Sequence, residues 1–226
     1  MNTPSEQNSS FIAAVLRQTP RLTDNRVIAA MTSVDRALFV PPAMQRRAYD
    51  TAVISLDGYT LSEPGLVGLM IQALNLGSND IVLDIGSGSG YHAAVMSRLC
   101  RAVYGVEVLP HAVERSRAAL KAASCDNVYV RCGDGWDGWE EHAPYDAINV
   151  ACAAERLAPT LLKQMKSGAR MIIPLSSDDK SSSMDWQQLA LITKSADDPL
   201  DHHGLPPFTR QNLSAVRFVP MVHGYH

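Results

Sequence analysis

The chain has 226 residues, 46% of them hydrophobic, with 20 basic and 23 acidic side chains and a formal charge of −3. That suffices for one α/β domain with a sizeable core and a modest extension. The mixed charge lacks the concentrated basic face that phosphate backbones require, and no apolar run approaches the roughly 18 residues of a bilayer span, so neither nucleic acid nor a membrane is expected as a partner.

Residues 1–10, MNTPSEQNSS, are polar, carry no basic residue and read as a disordered tail rather than a secretory signal. A helical, substrate-side extension is expected over 11–79. Within it, 11–19 and 24–33 read as short helices separated by Pro20, the second capped by Thr23 or Asp24. An apolar Leu38-Phe39-Val40 segment ends at Pro41-Pro42, and residues 50–62, with Gly58, read as a loop or short hairpin. Pro64 sits in the first turn of a helix predicted to run to Leu74, with apolar residues at Leu66, Val67, Met70, Ile71 and Leu74.

A different rhythm starts at residue 80 and defines a core over 80–226. Strands are predicted at 81–83, 102–106, 128–131, 146–151 and 171–174. An amphipathic helix is expected at 91–99, with further helices at 110–122 and 158–165. Strand-like segments at 186–193 and 213–219 flank a polar stretch, 194–212, and the Ser/Asp-rich segment 176–184 reads as a mobile loop. The fold class is therefore α/β: a Rossmann-like, doubly wound, mostly parallel sheet with helices on both faces, an antiparallel C-terminal edge and a small helical N-terminal extension.

Residues 82–90, VLDIGSGSG, leave a buried strand, turn through Gly86, Gly88 and Gly90, and enter a helix. Glycine keeps such a turn tight and open to a cofactor, and the helix start presents unpaired N–H groups. Glu107, followed by Val108, ends the second strand 21 residues after Gly86, where a carboxylate can accept from both ribose hydroxyls. Gly133-Asp134-Gly135 follows the third strand, where Asp134 could reach an adenine amino group or simply shape a turn. The G-x-G-x-G spacing differs from the G-x-G-x-x-G of nicotinamide sites. Ser87 lies within the loop and is counted with the cofactor residues, while Asp84, two residues before Gly86, would repel a pyrophosphate but suits a ligand with an ammonium and a sulfonium. S-adenosylmethionine has both.

The strings VLDIGSGSGYHAAVMSRL, VYGVEV, NVYVRCGDGWDGWEEHAPYDAINVACA and LLKQMKSGARMIIPL together resemble the protein-L-isoaspartate O-methyltransferase family. FVPPAMQRRAYDTAVISLDGYTLSEP is similar to the family's segment ahead of the core, and VRFVPMV to its closing strand, so the resemblance covers roughly residues 25–222. It implies methyl transfer from S-adenosylmethionine to the α-carboxylate of L-isoaspartyl residues in damaged proteins or peptides, a repair reaction. By resemblance Ser62, within Thr60-Leu61-Ser62-Glu63-Pro64, is the active-site serine. Thr60, Ser62, Val216 and Val219 would engage the substrate. Two positions depart from the family pattern: Glu63, where glutamine or a small neutral residue is expected, and Leu56-Asp57-Gly58-Tyr59. A relative acting on another carboxylate, such as an aspartyl side chain of a dedicated peptide, and a non-catalytic S-adenosylmethionine-binding relative are the competing readings.

An acceptor carboxylate is already ionised at neutral pH, so the chemistry needs orientation rather than a strong base. Ser62 also reads as an N-cap ahead of Pro64. His92 could line the cofactor site or sit on a helix surface, and Trp136 or Trp139 could cover the adenine or pack as core. Cys100, Cys125, Cys132 and Cys152 lack framework spacing and read as reduced and non-catalytic, which with the N-terminal sequence points to a cytoplasmic protein. His202, His203, His223 and His226 lack ligand spacing, and no metal is expected.

Overall fold

The computed structural model of the chain describes residues 4–176, 186–195 and 205–224. The mobile loop expected from residue 176 onwards, and His202, His203 and His226, lie outside these residues, apart from Ser176 itself.

The N-terminal part comprises α1 (Pro4–Gln18), α2 (Asn25–Ser33), a hairpin of β1 (Ile54–Ser55) and β2 (Thr60–Leu61), and α3 (Pro64–Leu74). Asp24 caps α2, its carboxylate accepting from Arg26 N at 2.9 Å. The core alternates β3 (Ile81–Ile85), α4 (Tyr91–Met96), β4 (Ala102–Glu107), α5 (Pro110–Ala122), β5 (Val128–Cys132), β6 (Tyr145–Val150), α6 (Pro159–Lys163) and β7 (Met165–Ser176). It closes with β8 (Gln187–Lys194) and β9 (Phe208–Val216).

The seven-stranded sheet runs β5-β4-β3-β6-β7-β8-β9. β3 to β7 are parallel, while β8 and β9 add antiparallel to the far edge. β3 is central, and four of its five residues, Val82 to Ile85, are buried, as expected of a strand covered on both faces. Chain order reverses at β3: β4 and β5 build outward on one side, then β6 returns to the other. That reversal opens a crevice above the carboxyl end of β3.

The two faces are covered unequally. Val82, Val103, Val130 and Ala147 pack under α3, α4 and α5, with α1 and α2 in the same apolar cluster. Leu83, Ile85, Val106 and Ile148 face Leu161 and Leu162 of the five-residue α6, with Tyr104, Trp136 and Trp139 packed around them. Aromatic side chains and 3-10 turns at Gly135–Asp137 and Glu140–His142 therefore substitute for a full helical layer on that face.

Several boundaries differ from the sequence reading. Helix α1 starts at Pro4, inside the stretch expected to be disordered. The reason is Asn8, whose buried amide donates to Met31 O, Thr32 O and Val34 O and so satisfies carbonyls left open at the end of α2. Helix α4 stops at Met96, and all six of its residues are buried, so it is a core helix rather than an amphipathic one. β7 starts at Met165 rather than 171, its exposed Lys166-Ser167-Gly168 hiding the strand from an apolar search. β9 is displaced towards the N-terminus because an edge strand tolerates the polar Thr209-Arg210-Gln211-Asn212. Val219 thus falls beyond β9, while Val216 is its last residue.

Candidate active site

The glycine loop forms as its spacing demands. Gly86 and Gly88 have φ of 73° and 49°, and a Cβ on Gly86 would lie 3.1 Å from Cys152 Sγ, just beyond β6. Gly90 (φ 87°) opens α4. Glu107 is buried and braces the loop: Oε2 accepts from Gly88 N at 2.8 Å, and Oε1 from Leu109 N at 3.0 Å. Ser87 Oγ donates to Asp84 O at 3.0 Å, locking the turn from within. Gly133 N donates to Glu107 O at 3.0 Å, joining the ends of β4 and β5.

Above these strand ends is a cavity of about 470 Å³. Gly86, Glu107, Val108 and Gly135 line it, together with Gly58, Thr60, Cys152 and Val219–Val222. Asp84 is not on its wall. Its side chain turns to the α4 face of the sheet, where Asn149, its register partner on β6, donates Nδ2 to Asp84 Oδ1 at 2.7 Å. The same Nδ2 lies 2.9 Å from His92 Nδ1. Burial pushes the Asp84 carboxyl up to about 6 against the Asn149 and Ser87 hydrogen bonds, and pushes His92 down to about 4, so His92 is neutral. His92 thus lies behind the loop, neither on the cavity wall nor on the surface.

Asp134 is also engaged by the protein itself. It caps the turn Gly135–Asp137 through Trp136 N (2.8 Å) and accepts from Gly224 N (3.0 Å), with His223 Nδ1 3.1 Å away. Burial raises its pKa, but these hydrogen bonds prevail and hold the carboxyl below its ordinary value. Trp136 stacks on His223 at 5.5 Å, whereas Trp139 packs edge-on against Tyr104 under the Arg131 guanidinium. Burial, with Glu107 and Asp84 nearby, raises the Cys152 thiol far above its usual range, which leaves it unreactive.

A second cavity, of about 540 Å³, lies beside the first. Thr60, Ser62 and Glu63 form one side, Ala153 and Glu155 another, and Arg217–Met221 a third. The Glu63 carboxylate folds back on the start of α3, its two oxygens accepting from Gly65 N and Leu66 N at 2.7 Å each. Glu63, not Ser62, is therefore the N-cap, and Ser62 Oγ makes no hydrogen bond among the described residues. The other departure from the family pattern, Leu56-Asp57-Gly58-Tyr59, is the turn of the β1–β2 hairpin. It is closed by Leu56 N to Tyr59 O (2.8 Å) and held to α5 by His111 Nε2, 2.9 Å from Asp57 O.

The two cavities share a wall made of Thr60, Val219, Pro220 and Met221. The C-terminal segment reaches this position by pairing with the chain after β6: Ala153 N donates to Val219 O at 2.8 Å, and Met221 N to Ala153 O at 2.7 Å. Val216 stays in the sheet and lines neither cavity.

Residues 6–226 match the family model for protein-L-isoaspartate(D-aspartate) O-methyltransferase. The chain belongs to this family. It is 41% identical to protein-L-isoaspartate O-methyltransferase 2 of Polaromonas sp., over 93% of this chain and 96% of that one. It is 40% identical to protein-L-isoaspartate O-methyltransferase of Opitutus terrae, over 84% and 82% of the two chains. Among solved structures, a protein-L-isoaspartate O-methyltransferase superposes with a TM-score of 0.78 at 27% identity, covering 94% of this chain and 65% of that one. A Plasmodium falciparum protein described as a protein-L-isoaspartate O-methyltransferase in complex with S-adenosyl-L-homocysteine shares the fold, with a TM-score of 0.76 at 22% identity over 95% and 98% of the chains.

In this protein-L-isoaspartate O-methyltransferase family member, sequence reasoning missed Gly58, Cys152, Pro220 and Met221 as cavity residues, along with the Asp84–Asn149–His92 chain. Pro220 and Met221 lie within the closing VRFVPMV string, the one signal that could have found them. Among the described residues no helix is long and apolar enough to cross a membrane, and no group of three His, Cys, Asp or Glu side chains could hold a metal ion.

Proposed function

We infer that this chain transfers a methyl group from S-adenosylmethionine to the α-carboxylate of L-isoaspartyl residues in damaged proteins or peptides. The observation that carries the reading is the shared wall. A cavity backed by the glycine loop and Glu107 meets a cavity bearing Ser62 at Thr60 and Val219–Met221.

The 470 Å³ cavity suits the methyl donor. Its floor is backbone that a Cβ on Gly86 would obstruct, and Glu107 offers carboxylate oxygens to a ribose at its wall. We assign Gly86, Gly88 and Gly90 to loop geometry, and Glu107, Val108 and Gly135 to the ligand wall. Ser87, Asp84 and Gly133 support them from behind. Asp134 would serve the adenine by exchanging its tail partners, Gly224 and His223, for the ligand. S-adenosylmethionine supplies a methyl group carried on a sulfonium.

The chain's own residues then have a limited task. A carboxylate is ionised at neutral pH, so no side chain need remove a proton, which agrees with a neutral, buried His92 and a capping Glu63. Ser62 Oγ, free of internal partners, can donate to the acceptor carboxylate and orient it. Thr60 and the Val219–Met221 segment, standing between the cavities, hold the reactants close and keep water out, which favours a reaction that consumes opposite charges. We place the protein in the cytoplasm, because its four cysteines are free thiols.

The test is labelling with radioactive S-adenosylmethionine and matched isoaspartyl and aspartyl peptides. Base-labile label on the isoaspartyl peptide alone is expected. Equal labelling of both, or preference for the aspartyl peptide, would contradict the reading.

A further inference from the structure

Arg36 is the largest fully buried side chain among the described residues, and it carries a charge. It sits on the 3-10 turn Arg36–Phe39, well before the hairpin and the glycine loop. Such a cation is normally placed against a carboxylate, because burial strips its water. Among the described residues no carboxylate bonds it. Asp50 and Glu63 are near enough to act on it electrostatically, but the Glu63 oxygens are committed to the start of α3. The guanidinium lies over the Tyr91 ring, 4.9 Å from its centroid, with Phe11 on another side at 5.7 Å. Among the described residues it donates to two main-chain carbonyls, Nε to Ala48 O at 3.0 Å and Nη2 to Ser62 O at 2.8 Å, while Nη1 is buried without a partner.

The second bond has a geometric consequence. The Ser62–Glu63 peptide is trans, since the cis bond among the described residues is Ala143–Pro144. In a trans peptide the C=O and N–H point in opposite directions. With the Ser62 oxygen drawn inward to Arg36, the Glu63 N–H is turned to the other side. That N–H donates to nothing among the described residues, and neither does Ser62 Oγ, while both residues line the 540 Å³ cavity. Two unused donors on adjacent residues suit an anion with two oxygens, and a cation bonded to the intervening carbonyl polarises the N–H further.

We propose that Arg36 is a positioning residue for the methyl acceptor: it holds the Ser62 carbonyl so that the Glu63 N–H and the Ser62 hydroxyl together bind the isoaspartyl carboxylate. The role rests on the activity inferred above and assigns the N-terminal extension a part in it. It also fixes where the effect should be felt. The acceptor is anionic when bound and becomes a neutral ester, so a fixed positive charge behind it favours binding over transfer. Loss of Arg36 should therefore raise KM for the peptide and leave kcat nearly intact.

The test uses Arg36→Met and Arg36→Lys in the full chain. KM and kcat are measured on an isoaspartyl peptide, and the Kd of S-adenosylhomocysteine and of the peptide on the S-adenosylhomocysteine-bound protein by calorimetry. For Arg36→Met the peptide KM and Kd should rise about 10- to 100-fold, the scale of a charged hydrogen bond, with S-adenosylhomocysteine Kd and kcat within about threefold of wild type. Arg36→Lys keeps the charge but cannot reproduce the two-point grip. It should fall between, and it decides the matter if the Met variant does not fold. Unchanged peptide KM in both variants would overturn the proposal, as would parallel loss of peptide and S-adenosylhomocysteine binding. Wild type that labels the peptide while the variants keep its KM removes the Arg36 role alone; wild type that neither binds nor labels it removes the activity and the role together.

Discussion

The two cavities that meet at Thr60 and Val219–Met221 are built on different principles. The one assigned to the donor is made from consecutive strand ends of the parallel sheet: the loop after β3, Glu107 at the end of β4, Gly135 after β5 and Cys152 after β6. Its key hydrogen bonds, such as Gly88 N to Glu107, lie between neighbouring strands that the sheet already holds in register. The one assigned to the acceptor joins Ser62 to Arg217, 155 positions away in the chain, through a hairpin, a helix cap and a C-terminal segment. The donor side inherits its geometry from the fold, whereas the acceptor side must be assembled by long-range contacts. Ligand affinity and acceptor affinity should therefore respond to different substitutions, except at the shared wall.

Removing residues 220–226 is expected to break that separation and to have the largest effect. It takes Pro220 and Met221 from both cavities and frees Asp134 from Gly224. S-adenosylhomocysteine affinity and peptide KM should worsen together, with labelling down by on the order of 1,000-fold if two losses of one to two decades multiply. Calorimetry alongside peptide kinetics checks this; loss on one side only would mean that the wall is not shared.

Glu107→Ala should sharpen the separation from the donor side. It removes the acceptor for Gly88 N and Leu109 N and a carboxylate from the wall, so S-adenosylhomocysteine should bind about 100-fold more weakly. Peptide KM at saturating donor should stay within about twofold, because no acceptor-side hydrogen bond is lost. Ser62→Ala is the mirror case: kcat/KM on the peptide should fall about 10- to 100-fold while the S-adenosylhomocysteine Kd is unchanged. A Ser62→Ala protein with altered donor affinity and normal turnover would reverse the assignment.

How much of this was legible in the sequence follows the same division. Gly86, Glu107 and Gly135 could be placed because strand, turn and helix follow one another within a few residues, and a parallel sheet puts successive strand ends side by side. Asp84 was placed on the ligand because the loop's charge was read without strand alternation. Its side chain points to the opposite face from Leu83 and Ile85, where Asn149 waits on β6. Asn8 and Arg36 were invisible, and the Pro220–Met221 wall was signalled only by the closing VRFVPMV string, for a common reason. Each acts on a main-chain group far away in sequence, and neither periodicity nor composition records such a partner. Ser62 was found only through family resemblance. Its nearest physical signal, a cap before Pro64, belongs to Glu63.

Asp84 bears on neither affinity, and its expected effect is on stability and depends on pH. Its folded pKa is raised from 3.8 to about 6 by burial, so the folded protein binds that proton more tightly than the unfolded chain does. The resulting stabilisation is complete below pH 4 and is lost as pH rises through about 6. Ionised Asp84 therefore costs stability at neutral pH, by at most roughly 3 kcal/mol for a shift of this size. Asp84→Asn should unfold at higher denaturant than wild type at pH 7.5, with the gap closing towards pH 4. A gap independent of pH would show that the carboxyl does not titrate in this way.

The measurement closest to the central claim is a structure of the protein with S-adenosylhomocysteine and an isoaspartyl peptide bound together. The homocysteine sulfur should face the wall of Thr60 and Val219–Met221 from the Glu107 side. The isoaspartyl carboxylate should face it from the other side, bonded to Ser62 Oγ and Glu63 N. A peptide carboxylate bound away from Ser62, or a ligand that does not reach Glu107, would contradict the account.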